Sequence, residues 1–312
     1  MPRVLLTNDD GGPNDVASPY VKYFVEAVET LTDWQLSIVV PSTQKSWIGK
    51  AYFAGRDVKV SYIYSSIANP EDNSTHGPYG YPQPNFQADK KLKEWCLLDA
   101  TPATCADIGL NHIVGNENID FVVSGPNVGR NTTALYSMSS GTIGGAMEAH
   151  HHGKKAFALS YSFDSFEGND FQSKPAILKE ASKIAVNVID KLYKNWDKGA
   201  DVYSVNVPLR EDTKLGHTKI LRVPLLQNKW PQSLFVPSTS ARKEQVSDII
   251  DESISTGQVY HWRPDFQLLH DQIDATTDLT DGKAIGQGHV TVTALIAAFK
   301  QLDQVNQGEL IL

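Results

Sequence analysis

Val4-Leu5-Leu6-Thr7-Asn8-Asp9-Asp10-Gly11 opens the chain with a short apolar run that stops on two adjacent carboxylates and a glycine. A short apolar run closed by turn residues reads as a buried strand. Its end then places two negative charges at the carboxyl edge of a sheet, where open α/β sheets bind their ligands. Side-by-side anions repel unless a cation offsets them, and a hard divalent cation with oxygen ligands is the simplest such partner. Asn, Asp and Gly are equally the residues of solvated turns, so the motif alone leaves both readings open.

Outward from this stretch, strand-like and helix-like segments alternate. Ser18-Pro19 offers a cap and a first-turn proline, and Val21, Phe24, Val25, Val28 and Leu31 then fall on one helical stripe. Residues 36–40 read as a buried strand closed by Pro41, and residues 96–98 as another. Thr101-Pro102 repeats the cap-plus-proline start ahead of Ala106, Leu110 and Ile113. Residues 119–123, 156–160 and 202–207 read as further strands, with helices over 141–150 and 177–192 between them. This order predicts right-handed crossovers and a three-layer, Rossmann-like α/β fold, a mostly parallel sheet flanked by helices. Residues 63–90, rich in Asn, Pro, Gly, Tyr and Ser, read as a long surface excursion. Beyond Pro208 the helical period fades, and 217–223, 259–262 and 290–293 read as strands joined by hairpins. The expected division is an α/β core over 1–208 and a smaller β-rich C-terminal extension over 209–312, packed on the core.

Composition narrows the function classes. A formal charge of −8 argues against a nucleic-acid polymer or an anionic membrane surface as partner, but not against a small phosphorylated ligand. Cys96 and Cys105 are too few for a zinc site or a disulfide framework. In apolar surroundings they read as buried thiols, which points to a reducing, cytoplasmic setting. The chain enters a strand at once without a cleavable leader pattern, and no stretch is long and apolar enough to span a bilayer.

Four polar clusters fall where strands end: Asn8 to Gly11, Ser42 to Gly49, Ser124 to Asn131, and Ser139-Ser140-Gly141-Thr142 leading into Gly144-Gly145. Small residues at a helix start let backbone N–H groups approach an anion, so the fourth cluster can cradle a phosphate; it can equally be a plain helix cap. The amide oxygen of Asn127 and the hydroxyl of Ser46 can join the two carboxylates in an oxygen-only set, which suits Mg²⁺, Mn²⁺ or Ca²⁺ rather than zinc. Consecutive histidines do not share a helix face, so His150-His151-His152 read as helix-end residues interacting with the dipole rather than metal ligands. Trp47 is either a core ring or one that stacks on a base. No nucleophile elbow, Gly-Lys-Ser/Thr phosphate loop or dinucleotide fingerprint is present.

The ordered motifs resemble the SurE (survival protein E) family of metal-dependent 5′-nucleotidases and acid phosphatases. The resemblance rests on Val4 to Gly11; on Val39-Val40-Pro41 with Ser46; on Thr101-Pro102-Ala103 with Cys105; on Asp120 to Asn127; on Ser140-Gly141-Thr142 with Ala146-Met147-Glu148; and on Thr280-Asp281, Gly288 and Val290-Thr291-Val292-Thr293. It implies that Asp9, Asp10, Ser46 and Asn127 hold one divalent metal per subunit, Mg²⁺ or Mn²⁺. It further implies that Asn131, Ser139, Ser140, Gly141 and Thr142 surround the phosphate, and that Asn8 joins Asp9 and Asp10 in the catalytic group. Family members have a C-terminal extension exchanged within dimers or tetramers, so a homodimer or homotetramer is expected. Ala100 replaces the family's glycine before Thr-Pro, the loop Gly129-Arg130-Asn131-Thr132-Thr133 is altered, and one extra residue precedes Ser140. These features resemble the fungal branch, in which the domain can be fused to a tubulin-tyrosine-ligase-like domain; no such domain fits within these residues.

The implied activity is metal-assisted hydrolysis of nucleoside 5′-monophosphates or other small phosphate esters, with one of the Asp pair orienting or deprotonating water. Arg130 and Lys45 could add positive charge to the site, with solvated surface the plainer reading of both. The alternatives are a catalytically weak nucleotide-binding or scaffolding module of the same fold, and a polyphosphate hydrolase.

Overall fold

A computed structural model describes residues 1–89, 91–163, 174–238 and 259–299. In chain order the elements are β1 (Arg3–Thr7), α1 (Val21–Leu31), β2 (Gln35–Pro41), β3 (Val60–Ser66), β4 (His76–Tyr79), α2 (Pro84–Gln87), β5 (Leu92–Leu98) and α3 (Pro102–Ile108). There follow β6 (Phe121–Val128), α4 (Thr133–Ser139), α5 (Gly141–His151), β7 (Lys155–Ser162), α6 (Pro175–Lys194) and β8 (Val202–Pro208). The remainder comprises β9 (Ile220–Arg222), β10 (Phe235–Pro237), β11 (Tyr260–Trp262), α7 (Phe266–Ala275), α8 (Asp281–Gly286) and β12 (Val290–Leu295).

The main sheet has the order β4-β3-β5-β2-β1-β6-β7-β8-β12-β9. Its centre, β5-β2-β1-β6-β7-β8, is parallel throughout. After β1 the chain builds toward one edge through β2 and β5, then returns beside β1 as β6 and builds toward the other. The strand order therefore reverses between β1 and β6, and the crevice outside their carboxyl ends is where such a sheet accepts a ligand.

Alternate residues of the central strands feed two separate cores, as period-two side chains in a doubly covered sheet must. Val4, Leu6, Val40, Val123 and Leu159 pack with α1 and α6, while Leu5, Val39, Val122 and Ala158 pack on the other face with α3 and α5. Each fully buried aliphatic side chain contributes about 1.5–3 kcal/mol. Thr101 caps α3 as its sequence predicts, its hydroxyl accepting from Thr104 N at 3.2 Å. Ser18 does not cap α1, which starts at Val21 after Tyr20; its hydroxyl instead donates to the Gly11 carbonyl at 3.1 Å.

Part of the expected surface excursion over 63–90 pairs into the main sheet. β3 adds antiparallel to β5 and β4 to β3, so the segment supplies one edge of the main sheet, and Tyr64 is fully buried. Its connecting loop is tied down by the buried Lys22, whose ammonium donates to the carbonyls of Asn69 and Asp72. The hairpins expected beyond Pro208 are corrected as well. β12 pairs antiparallel with β8 and parallel with β9, so both strands extend the main sheet, and among the described residues only β10 and β11 form a separate antiparallel ribbon. Residues 239–258 and 300–312 of that extension lie outside the described residues. Two helices, α7 and α8, also occur there; α7 buries only Leu269 and Ile273, a stripe too narrow to show as a helical period. Both cysteines are free and buried. No described helix is long and apolar enough to cross a membrane.

Gly144 of α5 packs on the loop that carries Ser46 and Trp47: a β-carbon there would stand 2.4 Å from the Gly49 carbonyl oxygen. Backbone cannot rotate out of such a clash, so Gly144→Ala is expected to cost about 1–3 kcal/mol and to lower the thermal midpoint by several degrees in a calorimetric scan. Gly286→Ala, with nothing within 4 Å of the added carbon, is expected to leave the midpoint unchanged or raise it.

Candidate active site

The carboxylate turn after β1 is shaped from beneath. Asn8 Nδ2 donates to the Gly11 carbonyl and Gly11 N–H donates to Asn8 Oδ1, both at 2.8 Å and both buried. This reciprocal pair fixes where Asp9 and Asp10 project, and each is only 2% exposed. Thr142 Oγ1 donates to Asp9 Oδ1 at 2.6 Å. Gln44 Nε2 and the Val128 N–H donate to the two oxygens of Asp10, each at 2.8 Å. The start of α5 comes so close that a β-carbon on Gly141 would meet Asp9 Cβ at 2.9 Å, so only glycine allows the approach.

Burial pushes the Asp9 carboxyl up to about 6, partly opposed by the Thr142 hydrogen bond. Asp10 is raised well above its ordinary value, first by burial and then by the charge of Asp9. Two buried carboxylates in sequence are thus poorly stabilised as anions by the protein alone, which is the electrostatic condition a divalent cation relieves. Among the described residues no three His, Cys, Asp or Glu side chains cluster, so any cation here must complete its shell with neutral oxygens.

Those oxygens lie nearby. Asp9, Ser46, Asn127, Asn131, Ser139 and Ser140 all line one cavity of about 720 Å³ at the switch point, a size suited to a small molecule. Asn127 Nδ2 donates to the Gly129 carbonyl at 2.7 Å, while its amide oxygen accepts no hydrogen bond among the described residues. Asn131 is tied to the sheet, its Nδ2 donating to Ser160 Oγ at 2.9 Å and its N–H to Asn206 Oδ1 at 2.8 Å. Ser140 Oγ caps α5 by accepting from Ile143 N at 3.1 Å.

Asp10, Asn8, Gly141 and Thr142 are not part of the cavity wall. Asp10 stands behind Asp9, held by Gln44 and Val128. Asn8 shapes the turn, and Thr142 gives its hydroxyl to Asp9. The three consecutive histidines diverge, His150 toward Asp201, His151 toward the Ala297 carbonyl and His152 toward Glu148 and Asp107.

Tyr136, Trp262, Phe266 and His270 of the wall escaped the sequence reading, whereas Trp47, read as a core ring or one that stacks on a base, lines the cavity beside them. Trp47 meets Tyr136, Trp262 and Phe266 at ring distances of 5.8, 5.5 and 5.7 Å, and Trp230 at 6.3 Å. Its backbone is left-handed, with φ of 62°, a conformation costing roughly 1–2 kcal/mol for a residue with a β-carbon. Aromatic pairs contribute about 0.5–1.5 kcal/mol each, so this cluster outweighs the strain. Arg130, read as solvated surface, is half-buried in the cavity wall with Nη2 against His270 Nε2 of α7. The spacing Trp262, Asp265, Phe266, an aromatic pair around a helix-capping aspartate that accepts from Gln267 N at 3.1 Å, is the signal that could have exposed this wall.

The family model described as "Survival protein SurE" matches residues 4–230. The chain belongs to the SurE family. It is 39% identical to the Saccharomyces cerevisiae protein named "Probable tubulin--tyrosine ligase PBY1", over 97% of this chain but only 42% of that protein's length. It is 26% identical to "5'-nucleotidase SurE" of Archaeoglobus fulgidus, covering 94% of this chain and 90% of that one. The crystal structure of the SurE protein from Aquifex aeolicus superposes with a TM-score of 0.61 at 20% identity, over 96% of this chain and 95% of that one, so the fold is shared. Every residue expected at the SurE metal and phosphate positions lies inside the matched span, whereas Trp262, Phe266 and His270 lie beyond it.

The raised Asp9 carboxyl carries no penalty below its ordinary value near 3.8 and its full penalty above about 6. In chelator-treated protein, Asp9→Asn is therefore expected to raise the thermal midpoint at pH 7.5. The advantage should shrink as pH falls from 6 to 4, as checked by scans across that range.

Proposed function

We propose that this chain is a divalent-metal-dependent phosphomonoester hydrolase acting on nucleoside 5′-monophosphates or similarly small phosphate esters. The observation that carries this reading is the buried Asp9-Asp10 pair at the sheet's switch point, with Asp9 against the start of α5 and lining one cavity with Ser139 and Ser140. Asp9 and Asp10, with the neutral oxygens of Ser46 and Asn127, form a donor set that fits Mg²⁺ or Mn²⁺. When bound, such an ion supplies Lewis acidity toward a phosphoryl oxygen.

The rest of the chemistry falls to the chain. Ser139, Ser140 and the first amides of α5 offer donors to the equatorial phosphoryl oxygens, where preorganised dipoles stabilise developing charge. Asn131, fixed by Ser160 and Asn206, limits the phosphate from the sheet side. One carboxylate of the Asp9-Asp10 pair orients or deprotonates the attacking water. The ring wall of Trp47, Tyr136, Trp262 and Phe266 supports a leaving group with an aromatic base; a polyphosphate has nothing to place on it. A homodimer or homotetramer belongs to the same reading, supported by the exposed apolar side chains Phe235 and Tyr260 on the β10–β11 ribbon.

The purified chain is expected to hydrolyse p-nitrophenyl phosphate and adenosine 5′-monophosphate with Mg²⁺ or Mn²⁺, to lose activity on chelation and to regain it on add-back. Asp9→Asn is expected to reduce kcat by about 100-fold or more. Hydrolysis surviving both treatments would overturn the assignment, and calorimetric nucleotide binding without turnover would point to an idle module. Light scattering is expected to return the mass of two or four chains; a monomer would remove the assembly from the proposal.

A further inference from the structure

The motif Ala146-Met147-Glu148 does not line the cavity, yet its glutamate ends a contact that begins there. Residues 141, 144 and 148 fall on one face of α5, and the chain from Ile48 to Tyr52 runs along that face. A β-carbon on Gly141 would stand 3.1 Å from Ile48 Cγ2, and one on Gly144 would stand 2.9 Å from Lys50 Cα. At Glu148, roughly 10 Å along the axis from Gly141, contact with glycine gives way to charge. The buried carboxylate accepts from Lys50 Nζ at 2.6 Å and from the Tyr52 hydroxyl, and lies 3.1 Å from His152 Nε2.

Among the described residues, the hydrogen bonds between this loop and α5 all end on Glu148. Gly49 N–H donates to the Ser139 carbonyl at 2.9 Å and Thr101 Oγ1 to the Ala51 carbonyl at 2.6 Å, but neither partner belongs to α5. A glycine face allows close approach without the side-chain ridges that interlock, so the loop's place along the helix falls to Glu148. Ser46 lies between two ties: Lys45 N–H donates to the Asp9 carbonyl at 2.7 Å on one side, and Glu148 holds Lys50 on the other. The same helix reaches Asp9 through Thr142 Oγ1 at 2.6 Å. Helix α5 is thus the common reference for the carboxylate turn and for the loop that carries Ser46.

We propose that Glu148 is a positioning residue for the metal centre: through Lys50 and Tyr52 it sets where Ser46 stands relative to Asp9. This rests on the reading of Asp9, Asp10, Ser46 and Asn127 as metal ligands given above. Glu148 touches neither metal nor phosphate and acts through the loop alone. A small cation that demands near-ideal oxygen geometry is the first thing to suffer when one ligand is displaced. Releasing the clamp therefore lowers metal affinity before it lowers turnover.

The test titrates Mn²⁺ into the full chain by calorimetry and measures kcat on adenosine 5′-monophosphate at saturating Mn²⁺. Lys50→Met is expected to raise the Mn²⁺ Kd about tenfold or more, Tyr52→Phe to raise it less, and Lys50→Arg to keep it near the unaltered value. At saturation kcat is expected to change far less than Kd. An unchanged Kd in Lys50→Met and Tyr52→Phe would overturn the proposal. So would a fall in kcat with Kd unchanged, the mark of a smaller folded fraction. Lys50→Met leaves a buried carboxylate short of a partner; if it does not fold, Lys50→Met combined with Glu148→Gln removes both charges and is expected to raise Kd as much. If the unaltered chain takes up no Mn²⁺, the metal reading fails, and hydrogen exchange of the loop decides the clamp alone. Faster exchange over residues 45–52 in Tyr52→Phe would uphold it, and unchanged exchange would overturn it.

Discussion

Two carboxylates held side by side out of water are the constraint around which the rest of the structure is arranged. Asp9 and Asp10 are each 2% exposed, and four separate segments converge to hold them. The turn is pinned by Asn8 and Ser18, while Gln44 arrives from the loop after β2, Val128 from the end of β6 and Thr142 from α5. Hydrogen bonds to charged groups contribute about 1.5–3 kcal/mol each. Even so, both carboxyls remain above their ordinary values, because burial, joined at Asp10 by the charge of Asp9, exceeds what these donors supply. The protein positions the pair closely and leaves its charge for something else to neutralise.

The parallel sheet makes that positioning possible. β1 and β6 end side by side, so the residues after each share one crevice although more than a hundred positions separate them. The far end of the chain then ties into the same place. Asp281, 1% exposed at the start of α8, accepts from Thr133 N at 2.7 Å, from Leu226 N at 3.0 Å and from Gly282 N at 2.7 Å. One buried carboxylate thereby fixes the entry of α4, whose other end delivers Ser139 and Ser140 to the cavity.

Legibility in the sequence followed the range of the interactions. β1, β2, β6, β7 and β8 were readable because their burial writes apolar runs into consecutive residues, and α3 and α6 because a cap or a continuous stripe is local. β3 and the edge strand β4 were not: Val60–Ser66 carries serines and tyrosines rather than an apolar run. The donors to Asp10 were invisible for a different reason, since Gln44 and a backbone N–H have no type or spacing that marks them. Thr142 was marked through its motif, but its bond to Asp9 was not legible, because a motif fixes proximity and not the direction of a hydroxyl. Arg130 was read as surface because the residue that meets it, His270, belongs to a helix too short in apolar residues to be recognised.

The two halves of the cavity consequently answer to different constraints. The carboxylate end is over-determined: Asp9 touches α5 so closely that Gly141 admits no side chain, and moving any one donor leaves buried charge uncompensated. The ring wall is assembled by packing alone, from Trp47 on a strained loop and from Trp262 and Phe266 on segments outside the family-matched span. Aromatic packing tolerates exchange of one ring for another at modest cost, whereas a buried charge pair does not tolerate loss of a partner. On the proposed reading, chemistry is set by the first group and choice of leaving group by the second. A chain of this family can then alter what it accepts through residues such as Trp262, Phe266 and His270 without disturbing the turn on which hydrolysis depends.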